Sequence, residues 1–137
     1  MSLRGLSIPG VLVGFVTTVA TTIVASLLSL ALFADLIEEG PDDVLMIATG
    51  PLLYALLALS VATVLGVWVC ASLSRTPAAV NALGIVVLYA VFSYLLSRSP
   101  SNLDNPYPHW FEVARYLVLL PAAAFGHGLS LRRAATE

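Results

Sequence analysis

The chain has 137 residues, of which 59% are hydrophobic and only 10% charged. Soluble domains carry about 45–50% apolar and about 25% charged residues, and a fold this small exposes too much surface for six arginines and eight acids to cover. An ordinary cytosolic enzyme, a disordered chain and a nucleic-acid binder with a basic face are therefore excluded, and a single cysteine excludes an internal disulfide or a Cys-rich metal cluster. An integral membrane protein remains.

The charges cut the chain into spans. Thirty residues between Arg4 and Asp35, 31 between Asp43 and Arg75 and 22 between Arg75 and Arg98 carry none. A helix needs about 20 mainly apolar residues to cross a hydrocarbon core of about 30 Å. The spacing predicts an all-α, four-helix transmembrane bundle in one domain, with spans at about 9–34, 47–72, 77–97 and 109–131. The stretches Leu27 to Leu36 and Val61 to Val69 lack the alternation of a membrane barrel strand.

The first span begins near Pro9, a residue suited to a first helical turn. Its charge-free core is longer than the roughly 7–15 residues of a signal peptide, so a retained anchor is expected. The second span either begins at Pro51 or bends there, and Asp42 and Asp43 complement its positive end. Thr76 and Asn105 are suited to cap the third and fourth spans. Pro121 lies inside the fourth span, where its missing N–H should kink the helix.

Short cytoplasmic loops are enriched in arginine and lysine. Arg4, Arg75, Arg132 and Arg133 fall on one side of a four-span layout, and the five carboxylates from Asp35 to Asp43 on the other. Both termini are therefore expected in the cytoplasm. Tyr94, Tyr107, Trp110, Phe111 and Tyr116 then form an outer aromatic belt, and Trp68 marks the inner end of the second span.

Helices in lipid associate through small residues and interhelical hydrogen bonds. Gly10 and Gly14 start an i, i+4 row that continues through Thr18, Thr22 and Ser26. The second span repeats the spacing at Ala58, Ala62, Gly66 and Cys70, and the fourth at Ala122, Gly126 and Ser130. Spans one, two and four are therefore expected to pack tightly, with the third, richer in bulky residues, more exposed to lipid or to a partner. The hydroxyls of the first row have a plain role, bonding the carbonyl one turn back. The sharper alternative is a polar path through Thr18 and Thr22.

Glu112 and Arg115 are the only charges inside a span, three apart on one helix face, where they can pair. A charge in the membrane is by default a functional candidate, set against an arginine that snorkels to the interface. His109 and His127 are 18 positions apart on one helix, about 27 Å, which is too far to share a metal or haem. The glycines beside His127 allow a close approach there. The acidic loop has carboxylates able to attract a divalent cation or a basic partner, without the EF-hand pattern. No nucleophile-and-base set, P-loop or dinucleotide fingerprint is present, so no cofactor and no enzymatic activity are expected.

Pro108-His109-Trp110-Phe111-Glu112 followed by Pro121-Ala122-Ala123 and Gly126 resembles a pattern in small bacterial inner-membrane proteins of uncharacterised function. The resemblance implies that location and carries no activity. Size and span number are also similar to small multidrug transporters, but those use a glutamate in the first span, and Gly5 to Ala34 holds no acid. The sequence thus points to a non-catalytic inner-membrane protein, an accessory or scaffold subunit or a homo-oligomer. Its partners would be lipids and other membrane helices. The alternative is a small transporter or channel with a Thr/Ser-lined path in the first span.

Overall fold

A computed structural model of the chain describes residues 5–39, 45–47, 49–74, 79–98 and 107–135. Helices form its body: α1 (Ile8–Leu32), α2 (Thr49–Ser74), α3 (Ala79–Ser97), α4 (His109–Leu117) and α5 (Leu119–Ala134). The first three are long and apolar enough to cross a membrane, with 25, 26 and 19 residues.

The ends of α1 follow from its sequence. Ser7 is the N-cap and accepts a hydrogen bond from the Gly10 amide at 3.3 Å, with Pro9 in the first turn. At the other end the Phe33 amide donates to Ser29 O. A three-residue 3-10 turn, Ala34–Leu36, follows. It leads to a feature the spans did not announce, in which β1 (Ile37–Glu39) pairs antiparallel with β2 (Leu45–Ile47), Glu38 opposite Met46. The connection from α1 to α2 is thus partly an extended pair. Pro51 is the third residue of α2, so it begins that helix and does not bend it. Asp42, Asp43, Thr76 and Asn105, expected at helix starts, lie outside the described residues, as do Arg4 and Arg75.

The fourth apolar segment is broken where proline chemistry requires it. Pro121 cannot donate to Leu117 O, and its ring crowds that carbonyl. Helix α4 ends at Leu117, Val118 forms the joint, and α5 resumes at Leu119. Val118 keeps helical backbone angles, its amide donating to Ala114 O at 3.0 Å and its carbonyl accepting from Ala122 at 3.2 Å. The result is two short helices, of 9 and 16 residues, instead of one long apolar span.

One end of the bundle gathers the N-terminal residues, the end of α2, the start of α3 and the end of α5. The Ser7 amide donates to Asn81 Oδ1 at 2.9 Å, and Asn81 Nδ2 donates to Gly5 O at 3.2 Å. Gly5 has φ 97, the left-handed region that glycine enters without a Cβ clash. Arg133 of α5 stacks over Trp68, 5.5 Å from the ring centroid, and donates to Ser72 Oγ. At the other end Phe33 meets Tyr54 edge-on, and Tyr107 packs on Phe111.

The core is thin and lies between α1, α2, α3 and α5. Ile85, Leu119, Cys70 and Val67 are buried in it. Helix α3 buries only its first turns, through Asn81, Ala82, Ile85 and Val86. Beyond them Val87, Val91, Tyr94 and Leu95 are exposed.

Candidate functional site: a closed seam, an open cleft and an interior arginine

The row Gly10, Gly14, Thr18 of α1 runs against Cys70, Gly66, Ala62 of α2 in opposite directions. Both glycines at its centre are required by space. A Cβ on Gly14 would lie 2.6 Å from Gly66 O and 2.6 Å from Ile85 Cδ1. A Cβ on Gly66 would lie 2.5 Å from Gly14 O and would run into Thr18 Oγ1. Gly10 and Gly126 are looser. A Cβ on Gly10 would sit 3.3 Å from Cys70 O, and one on Gly126 would sit 3.0 Å from Val64 O, where α5 crosses α2. Gly128 faces open space, so the close approach beside His127 is made by Gly126 alone.

Hydroxyls on the row bond back along their own helix. Thr18 donates to Gly14 O at 3.0 Å, Thr22 to Thr18 O at 2.8 Å and Ser26 to Thr22 O at 2.9 Å. This is the plain role expected of them. Thr18 also reaches across the seam to Ala62 O at 3.4 Å, and both residues are fully buried.

Toward the other end the same row opens. Thr22, Ser26 and Ser29 face Ala55 and Ala58 of α2 across a cleft of about 230 Å³. Leu30 and Leu52 add apolar wall, and Tyr54, Tyr107 and Phe111 stand at its helix-end side. Thus Ala62 and Gly66 belong to the dry seam, whereas Ala58 lines the cleft.

Arg115 projects from the last turn of α4 and is only partly exposed. Its Nη2 donates to Tyr116 Oη at 3.2 Å, and its guanidinium lies over the Tyr116 ring at 5.0 Å. Its Nε is buried without a hydrogen-bond partner among the described residues. Tyr89 of α3 stands between the two polar regions, near enough to Thr22 and to Arg115 for both to act on its hydroxyl electrostatically. The guanidinium therefore turns to tyrosines, although Glu112 sits one turn away and was the expected pair. Glu112 is half-buried and is engaged in an interaction of its own.

The remaining candidates do not converge. His109 opens α4 and is exposed, whereas His127 lies in α5. Among the described residues no group of three or more His, Cys, Asp or Glu side chains could hold a metal. Of the acidic loop, Asp35 is exposed, Glu38 and Glu39 form part of β1, and Asp42 and Asp43 lie outside the described residues. Sequence reasoning missed Tyr89 and Asn81. Asn81 carried a signal, since it is the one amide side chain between Arg75 and Arg98.

No family model, no curated protein and no solved structure matches this chain.

Proposed function

We propose that the chain is a non-catalytic, four-span protein of the bacterial inner membrane with both termini in the cytoplasm. In this reading α4 and α5 together make the fourth crossing. Support comes from their two ends: Phe111 lines the cleft beside Tyr54, and Arg133 reaches Trp68 and Ser72 at the opposite end of α2. Arg132 and Arg133 then lie at the inner surface, as the arginine bias asks.

Its role is that of an accessory or scaffold subunit, assembled with copies of itself or with another membrane protein. The observation that carries this is the bare second half of α3. The glycines of the small-residue rows are spent on contacts within the chain, while Val87, Val91 and Leu95 form an exposed stripe one helical turn apart. Single cysteines at Val91 and Leu95, in a Cys70→Ala background, test it. Oxidation in native membranes should yield a cross-linked species, and the mass in mild detergent should exceed one chain. A monomeric mass with no cross-linked product would rule the reading out.

A second reading, a small transporter, draws on the cleft and on the Thr22–Tyr89–Arg115 line. For a path, the seam would have to part between Thr18 and Ala62. Under this reading Arg115→Ala and Thr22→Val abolish flux in proteoliposomes; wild-type vesicles without flux of any tested ion or organic cation would count against it.

A further inference from the structure

We propose that the cleft between α1, α2 and α4 is a binding site for one acyl chain of a membrane lipid. The inference rests on the membrane reading above.

The cleft is too large to be a packing defect. At about 230 Å³ it exceeds the roughly 150 Å³ apolar cavity that accepts benzene. It falls short of the roughly 300–1,000 Å³ of a drug-sized site. From Thr22 to Leu30 the lining rises about 12 Å along α1, at about 1.5 Å per residue. The space is therefore a slot along the helices, the shape of a chain and not of a compact solute.

Its chemistry selects a neutral, apolar occupant. Among the described residues that line it there is no acid, arginine or histidine, so they offer a charged ligand no counter-charge. The hydroxyl protons of Thr22 and Ser26 are already committed to helix carbonyls, and Leu30, Leu52, Ala55 and Phe111 supply apolar wall, so the surface that the cleft presents is mostly apolar. The slot is open sideways. Ser26 on its rim is exposed and Leu30 is 57% exposed, on a helix whose outer face carries exposed Ile23, Val24 and Leu27. A chain already in the bilayer can enter from there without crossing a polar surface. Tyr54 and Tyr107 lie toward the helix ends, where phenol rings suit the headgroup level.

The full chain, reconstituted in vesicles of phosphatidylethanolamine and phosphatidylglycerol, should be illuminated with a phospholipid carrying a diazirine in its acyl chain. Peptide mass spectrometry then locates the adducts. Lining residues of α1 and α2 should be labelled several-fold more than Ile23 and Leu27, which are exposed on the outer face of α1 and line no cleft. Ala55→Trp fills the slot from α2, and Ser26→Leu fills it from α1. Each should reduce cleft adducts to the bulk level and leave those at Ile23 and Leu27 unchanged. Cleft labelling no higher than at Ile23 and Leu27 in the wild type overturns the proposal, as does enrichment that survives both fillings. If a filled variant loses the Ile23 and Leu27 adducts as well, it has not inserted, and the wild-type ratio decides. Absence of adducts anywhere in the wild type overturns the membrane reading itself.

Discussion

Replacing Gly14 by alanine adds one methyl group at the closest approach of α1 and α2. In an unobstructed helix this exchange is favourable by roughly 1 kcal/mol, because glycine is the poorer helix former. Here the new Cβ would stand 2.6 Å from Gly66 O and from Ile85 Cδ1, and 3.0 Å from Cys70 Cβ. Ordinary contact begins at 3.4 Å, so the seam must open by the difference, 0.8 Å. Gaps of about 0.5–1 Å forfeit a quarter to a half of the dispersion energy of the contacts they separate. Overpacking of this kind costs about 1–3 kcal/mol, and the obstacle includes backbone, which cannot rotate away. The clash should outweigh the propensity gain and leave Gly14→Ala about 1 kcal/mol less stable. Gly128→Ala is the matched control, because nothing stands within 4 Å of its added Cβ. It should be neutral or stabilising by up to about 1 kcal/mol. Helicity followed through a denaturing-detergent titration in mixed micelles would rank the three proteins. The order should be Gly128→Ala, wild type, Gly14→Ala, and a Gly14→Ala protein at least as stable as wild type would refute the seam.

Thr18→Val should cost less than Gly14→Ala in the same titration, since interhelical hydroxyl bonds in membranes average about 0.6 kcal/mol; a larger loss would mean that the hydroxyl does more than bridge to Ala62. Asn81→Ala removes both partners that hold the N-terminal residues, at a cost of about 1–3 kcal/mol. Amide exchange at Ser7 should accelerate, and unchanged exchange there would contradict the contact. Pro121→Ala supplies the missing N–H and should join α4 to α5, seen as slow exchange at position 121. Rapid exchange at that amide would assign the break to another cause.

Much of the helical body was legible because its signals are local. Charge-free length marks α1, α2 and α3, and the missing donor of Pro121 foretold the joint at Val118. Pairing was less legible. Tight packing of the first, second and fourth spans was expected from their rows, and Gly14 does meet Gly66 while Gly126 meets Val64 and Val67; which residue faces which was not legible, since a sequence shows the spacing of a row and not its register against another. For the same reason one row on α1 reads uniformly, yet it closes against Gly66 and opens against Ala55 and Ala58. Arg115 could be identified as unusual, but its surroundings could not. Glu112 was the near neighbour in sequence, whereas Tyr89 comes from another helix. The β1–β2 pair escaped because three-residue strands carry too few positions for a period to show.

The central claim, an even number of crossings with both ends inside, is tested most directly by single-cysteine labelling in a Cys70→Ala background. Glu39→Cys should react with an impermeant maleimide in intact cells. Arg75→Cys and Ala135→Cys should react only after the membrane is opened. Labelling at Ala135 in intact cells, with Arg75 still protected, would show three crossings and would remove α4 and α5 from the membrane.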